Sequence, residues 1–415
     1  MVRPITTAIQ HRDFNRDFSG TSAGLQGARA AVTATAAAGA FPVLQRGERL
    51  PSGIDYLPAD PEHVLWGRLP CAGDKPVAVV APGERIVVDT VSHEGILADQ
   101  GSDPVAFFGR YGVEPGQVLA DAVEITARGR RSPGDGPHVV TGPIAVAGAR
   151  PGDLLAVRTE RLELRAPYGV ISTRHGRGVL ADDPQLGGDY HTFCSVTAGP
   201  DGRWLGTLPE RRDPNARTGQ VSFPLAPFLG IVGVATDTPT RANSVPPGPH
   251  GGNVDIRLLT PGSTLFLPVQ VPEALLYVGD PHYAQGNGEV ALTAFEAPLR
   301  AQLGVDLLPR ELVAEELAGV AGPFAAGHGL LVPTGLDADL NEALRRCVRN
   351  AVALLGAVSG LEARQAYLYL SAAADFQVSQ AVDLVAGVHG ELRVADFAVE
   401  NAPGPVARRI LERAR

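Results

Sequence analysis

Lysine is almost absent from this chain. Among 36 lysine and arginine residues in 415, Lys75 is the one lysine and the rest are arginine. A Ser–Ser–Lys amidase, a Cys–Glu–Lys nitrilase, a pyridoxal enzyme or a Schiff-base aldolase each needs a lysine beside its nucleophile or cofactor. All of these must use Lys75 or be set aside. Lys75 is followed by Pro76, so a Gly-Lys-Ser/Thr phosphate loop is excluded as well. Cysteine is sparse: Cys71, Cys194 and Cys347, with no C-x-x-C pair. That pattern argues against a disulfide framework and for a reducing, cytoplasmic setting. Runs of 18 apolar residues are missing, so no transmembrane helix is expected. The net charge of −9, with no basic run, argues against nucleic acid and anionic membrane as partners.

What the chain has in quantity is glycine and proline, 49 and 35 residues. Residues 1–45 read as an arm of low complexity. The stretch AAVTATAAAGAF at 30–41 is too weakly apolar, and too far from Met1, for a signal peptide. From Gly47 onward short apolar or alternating runs are separated by Pro/Gly turns, which reads as many strands. Such runs lie at 77–80, 85–91, 143–149, 153–164, 191–198, 228–236, 254–259, 263–271, 275–279 and 289–297. A sandwich or barrel is the expected architecture. Helical spacing begins near Thr334. Over 337–357 the residues Leu340, Leu344, Cys347, Val348, Ala351, Val352 and Leu355 form one stripe, with Asp337 or Asp339 as cap. Glu362–Ala374 reads as a second helix and Pro405–Ala414 as a terminal one; Gln377–Val385 is short and ambiguous. The expected layout is an arm over 1–45, a β-rich domain over 46–330 and an α/β segment over 331–415 packed on it.

The densest polar constellation lies at 250–296. It contains His250-Gly251-Gly252-Asn253-Val254-Asp255, Gly279-Asp280-Pro281-His282, Gln285-Gly286-Asn287-Gly288-Glu289 and Glu296. Imidazole and carboxylate are the usual ligands of a hydrolytic Zn²⁺ or similar divalent ion. Asn253 and Asp255, like Asp280 and His282, are spaced to share one face of a strand. A second candidate is Asp89–Gly95, where His93 and Glu94 leave a strand run for a glycine loop. Other signals carry less. Gly20-Thr21-Ser22-Ala23-Gly24 matches G-x-S-x-G without the strand and helix that motif requires. Cys194 reads as a core cysteine. His175 lies in a glycine/arginine loop, and Asp74 in a turn.

The stretch from His250 to Glu296 resembles the acetamidase/formamidase family, whose hallmark is roughly H-G-G-N-x-D, L-P-V, G-D-x-H-x-x-Q-G-D-G-E-V and T-x-x-E. The chain has HGGNVD at 250–255, LPV at 267–269, GDPHYAQGNGEV at 279–290 and TAFE at 293–296. TGPIAVAGARPGDLLAVR at 141–158, AYLYLSAAADFQVSQAVD at 366–383 and VHG at 388–390 extend the likeness over most of 60–395. Asn287 stands where the family usually has Asp, and Pro272-Glu273-Ala274 replaces the usual Gly-Ala. The segment at 68–95 is less typical of the simple acetamidases. The resemblance implies a mainly β, sandwich-like fold with a C-terminal α/β segment. It also implies hydrolysis of small amides such as formamide or acetamide, and a homo-oligomer.

The expected site is metal-assisted. His93, His250, Asp255, Asp280 and His282 are the candidate ligands of a divalent ion, Zn²⁺ by preference. Glu289 is the expected acid/base and Asn253 the donor to the developing oxyanion. No substrate-binding residue is assigned. The competing readings are hydrolysis of another amide, a cyclic imide or a carbamate, and a metal- or ligand-binding relative without catalysis.

Overall fold

Alternation along the strand Leu154–Leu164 sets up the architecture. Leu155 and Val157 enter one apolar cluster while Leu154 and Ala156 enter another, as successive side chains must when they point to opposite faces. Leu265 and Leu267 on the strand Thr264–Pro268 join the first cluster, and Phe266 between them joins the second. Both strands belong to a nine-stranded sheet that is buried on its two faces, so their sequences read as near-continuous apolar runs.

The computed structural model describes residues 41–209, 220–397 and 402–415. Most of the expected arm, and the G-x-S-x-G match at 20–24, lie outside the described residues. The nine-stranded sheet runs in the order Asp55–Leu57, Arg85–Asp89, Leu299–Leu308, Leu154–Leu164, Thr264–Pro268, Phe324–Gly327, Leu330–Asp337, Ala386–Arg393 and Asp375–Gln380. A second sheet of eleven strands centres on Leu276–Ala284, which pairs with Phe228–Gly233, Phe295–Glu296 and Val139–Val146. One cluster is shared between the sheets. Val88, Leu155, Leu265 and Leu303 come from the first; Ile144, Val196, Val232 and Val278 come from the second. Neither sheet closes on itself. The fold is therefore mixed α/β with substantial β content. No helix among the described residues is long and apolar enough to cross a membrane.

The outer face of the nine-stranded sheet is covered by helices Leu340–Ser359, Ala363–Ala373 and Pro405–Ala414. Their Leu354, Leu355, Val358, Leu370, Ile410 and Leu411 pack on Phe266, Phe324 and Leu331. The long helix starts where the Asp339 carboxylate accepts from the backbone N–H of Asn341 (2.7 Å) and Glu342 (3.3 Å), and stops at left-handed Gly360. Its buried stripe is Ala343, Cys347, Ala351, Leu354, Leu355 and Val358, whereas Leu340 and Leu344 are exposed. The stripe read from sequence is thus corrected by a rotation about the helix axis, toward the small residues that fit against the sheet. Gly335 lies under this helix, where a Cβ would come within 2.1 Å of the Ala343 carbonyl.

Other differences have local causes. Residues 254–259 form no strand: the backbone is left-handed at Asp255 (φ 47°) and turns at 257–258. Of 289–297 only Phe295–Glu296 is a strand. Glu289 is also left-handed, and its loop is tied instead to 379–381 through the N–H of Gly288 on Ser379 O and that of Ala381 on Gly288 O. Gln377–Val385 resolves into the end of the strand Asp375–Gln380 and a turn. Helices Pro104–Gly109, Ala120–Arg128 and Arg310–Glu316 were not anticipated.

A fully buried ionic network crosses the structure. Asp89, at the end of its strand, accepts from Arg300 (2.6 and 2.9 Å) and from the Tyr56 hydroxyl (2.6 Å). Arg165 donates to Asp121 at 2.6 Å and lies 3.3 Å from Asp89, and it also donates to the carbonyls of Leu44 and Thr90. Removing one partner of such a network strands the others in an apolar interior. Arg165→Met is expected to lower unfolding free energy by about 3–5 kcal/mol, measured by urea titration.

Candidate active site

His282 is fully buried on the strand Leu276–Ala284, and its ring organises the site. Nδ1 lies 3.0 Å from Gln285 Oε1. Gln285 is itself fixed by donating to the carbonyls of Asp255 (2.9 Å) and Ser379 (3.2 Å), so its Oε1 is the atom turned to the ring. Nε2 lies 3.0 Å from both Asp280 Oδ2 and Glu296 Oε1, yet satisfies the geometry of a hydrogen bond with neither. A ring whose Nδ1–H is taken by an amide oxygen presents an Nε2 lone pair to two carboxylates. That contact is repulsive unless a proton or a cation intervenes.

Asp280 stands two residues before His282, at φ 49°. A non-glycine residue held in the left-handed region carries local strain, which concentrates at functional positions. Asp255 and Glu289 share this conformation at φ 47° each. The chain passes close by: a Cβ on Gly279 would meet Val139 O at 2.4 Å, and one on Gly230 would meet Asp255 Oδ1 (2.4 Å), Asp280 Oδ2 (2.7 Å) and His282 Cε1 (2.8 Å). Glycine at 230 keeps that space clear.

Two further imidazoles come from upstream. His93 Nδ1 lies 3.5 Å from Asp280 Oδ1, and His138 Nε2 lies 3.8 Å from the same oxygen. Their rings meet edge to face, with centroids 5.2 Å apart. His138 is held from behind by Ser244 Oγ at 3.1 Å. Glu94 belongs to the supporting layer, accepting from Arg174 (2.6 Å), Gln100 (2.5 Å) and Ser172 (3.1 Å). On the far side Asp383 enters from a turn made by Gln380, whose Oε1 accepts from the N–H of Val382 and Asp383.

Four overlapping groups of three possible donors result: His93, His138 and Asp280; Asp255, Asp280 and His282; His282, Glu289 and Glu296; Asp255, Glu289 and Asp383. Seven of their buried atoms have no hydrogen-bond partner: His93 Nδ1, both oxygens of Asp255, Asp280 Oδ1, His282 Nε2, Glu296 Oε2 and Asp383 Oδ2. Buried polar atoms are rarely left so. Their convergence, and the His/Asp/Glu donor set, fit a divalent cation.

The electrostatics follow from burial and crowding. Burial drives Glu289 well above the usual carboxyl range; His282 offsets part of this, and Asp383 and Glu296 add to it. Burial likewise raises Asp255, with Glu289 and Asp383 reinforcing it, and pushes Asp383 up to about 7. Asp280 goes the other way: burial opposes its charge, but His282 and His138 hold it well below the ordinary value. Of this group His93, His138, Asp280, Glu289, Glu296 and Asp383 line a cavity of about 430 Å³, together with Asn253, Thr293 and three arginines.

The structure brings together His93, Asn253, Asp255, Asp280, His282 and Glu289 from the sequence reading. It does not bring His250 with them. That ring is buried beside Gly248 and Gly252 and belongs to none of the donor groups among the described residues. His138, Glu296 and Asp383 were missed as donors. Glu296 lay in the constellation, and Asp383 in a stretch quoted only for resemblance. His138 has only a proline and a following apolar strand beside it. Asn287 is half-buried outside the donor groups, and the Pro272–Ala274 turn is bonded back to Val146 and Ala149. Cys194 is buried, and burial pushes its thiol up to about 12.

The family model named Acetamidase/Formamidase family matches residues 234–392. A formamidase of Methylophilus methylotrophus is 29% identical over 194 residues, which is 37% of this chain and 47% of that protein. An acetamidase of Mycolicibacterium smegmatis is 30% identical over 201 residues, 37% and 49% of the two chains. The matched stretch thus spans about half the length of these curated relatives. The solved structure of an acetamidase from Bacillus halodurans aligns over 84% of this chain and 100% of its own, with a TM-score of 0.62 and 23% identity. That likeness shows the fold.

Burial pushes His250 down to about 4 in the folded chain, against about 6.5 when unfolded. Its neutral form is the one the fold accommodates. The stability it contributes is present above pH 6.5 and lost as pH falls through 4. His250→Asn is expected to flatten the acid dependence of urea unfolding in that window, by roughly 3 kcal/mol at most.

Proposed function

We propose that this chain, whose residues 234–392 match the acetamidase/formamidase family model, hydrolyses small amides of the formamide/acetamide kind to carboxylate and ammonia. The observation that carries the reading is the set of buried carboxylates and imidazoles, with unpartnered donor atoms, facing one cavity of about 430 Å³. That volume is at the small end of ligand pockets and suits a compact substrate. The two sheets and their shared core are read as a sandwich-like frame around it.

His93, His138, Asp255, Asp280, His282 and Glu296 would hold a divalent ion, Zn²⁺ by preference. When bound, such an ion supplies carbonyl polarisation and an acidified water. The chain's own groups do the rest. Glu289 lines the cavity and its carboxyl is raised by burial, which brings a carboxylate nearer the affinity a proton shuttle requires. It takes a proton from the attacking water and delivers it to the departing nitrogen. The side-chain amide of Asn253 is buried at the cavity wall, where it donates to the carbonyl oxygen as that oxygen gains charge. Gln285 keeps the His282 ring in one orientation throughout.

Ammonia release from formamide, acetamide and propionamide tests the reading, and purified protein that releases none from any amide overturns it. Glu289→Gln is expected to lower kcat by roughly 10²–10⁴-fold while leaving thermal unfolding within a few degrees of the parent. Exhaustive chelation is expected to abolish turnover, and readdition of Zn²⁺ to restore it; full activity in protein shown metal-free by elemental analysis excludes the metal-assisted scheme.

A further inference from the structure

The cavity described above has a charged wall that amide hydrolysis as such does not call for. Arg131, Arg174 and Arg177 all line it. Arg174 is neutralised, since it bonds Glu94 at 2.6 Å and also pairs with Asp99. The other two hydrogen-bond no carboxylate, although Arg131 lies near enough to Asp135 to help hold that carboxyl below its usual range. Arg131 donates through Nε to the carbonyl of Gly136 (2.7 Å) and through one terminal nitrogen to that of Asp135 (2.8 Å). Those contacts fix the guanidinium in place without cancelling its charge. The carboxylate of Asp135 is engaged elsewhere, accepting from Arg68 at 2.5 Å and from the N–H of Ser132 at 2.8 Å. Among the described residues neither Arg131 nor Arg177 forms an ion pair with a carboxylate.

Both arginines sit on segments built into the site. Arg131 belongs to the turn that leads to His138. That turn is braced from the other side by Asn243, which donates to Gly134 O at 2.9 Å. Arg177 precedes Gly178, where a Cβ would lie 2.8 Å from Ala291 O, and Val179 donates to Val290 O at 2.9 Å. The loop bearing Arg177 is therefore tied to the loop that begins at Glu289.

A guanidinium held by backbone carbonyls keeps a free edge for a planar anion, and Arg matches a carboxylate in two-point geometry. Two guanidiniums at one cavity mouth, neither hydrogen-bonded to a carboxylate, also attract anionic ligands. We infer that the substrate of this site is an amide carrying a carboxylate, a monoamide of a short dicarboxylic acid, whose acid end meets Arg131 and Arg177 while its amide end faces Glu289. The inference rests on the amide-hydrolase reading. In the reaction the oxygen of water bonds the amide carbon as the C–N bond breaks, and the protons of that water leave with nitrogen. Succinamate and water thus give succinate and ammonium, with no change of oxidation state.

The test pairs amides of equal chain length. Ammonia release is followed for malonamate against butyramide and for succinamate against valeramide, at constant ionic strength. The expected result is a kcat/KM at least tenfold higher for the anionic member of each pair, carried mainly by KM. In the double variant R131Q/R177Q the ratio of anionic to neutral kcat/KM falls at least tenfold, and R131K/R177K restores part of it. Equal or lower kcat/KM for the anionic amides in the parent protein overturns the inference, as does an unchanged ratio in R131Q/R177Q. If no amide is turned over, the amide-hydrolase reading fails by itself. Titration calorimetry with succinamate then decides on the anion site: binding that R131Q/R177Q loses supports it, and no binding to the parent overturns it.

Discussion

A buried imidazole that faces two carboxylates at 3.0 Å, with an amide oxygen behind it, is the constraint on which the rest of this molecule turns. Ionised groups can be taken out of water only when their charges are matched and their lone pairs occupied. Here Asp255, Asp280, Glu289, Glu296 and Asp383 are buried together with three imidazoles. The carboxyl groups respond unequally: Asp280 is held low, while Asp255, Glu289 and Asp383 are driven up. Such a split sets neighbouring carboxyl groups at different proton affinities. The left-handed backbone at Asp255, Asp280 and Glu289 aims these side chains inward, and the flanking sheet holds that conformation in place.

The scaffold meets the same problem of buried charge with different chemistry. Arg165, Arg300, Asp89 and Asp121 lie in the dry interior, but each carboxylate has guanidinium partners at short range. That network ends the strand Arg85–Asp89, and four residues later the chain places His93 in the site. The contrast is informative. In the scaffold each carboxylate is paired with a guanidinium, whereas at the site seven donor atoms have no hydrogen-bond partner.

Much of this was legible in the sequence because it is local. Period-two runs at 153–164 and 263–271 contain the central strands, and the cap at Asp339 starts the long helix. The spacing of Asp280 and His282 placed both in the site. What escaped was what depends on distant contacts. His138 has no polar neighbour in sequence and acquires meaning only when its strand pairs beside Leu276–Ala284. Asp383 depends on a turn organised by the Gln380 side chain. His250, chemically the most suggestive residue of its motif, lies among glycines away from the donor groups; it precedes the short strand Gly251–Asn253, whose glycines have positive φ and which leads on to Asp255. The lysine count retained its value throughout: no lysine lines the cavity, and its cationic wall is arginine.

The donor set is divided along the chain. Asp255, Asp280, His282, Glu289, Glu296 and Asp383 all lie within residues 234–392, whereas His93 and His138 lie upstream of that segment. Two of the three nitrogen donors, His93 and His138, are thereby carried by a stretch of polypeptide separate from the oxygen donors, and the two stretches meet only in the folded state. Substitution of His93 or His138 alone would alter the balance of nitrogen to oxygen around the cavity, and with it the hardness of the cation that the proposed site would prefer, while every residue of 234–392 stays the same.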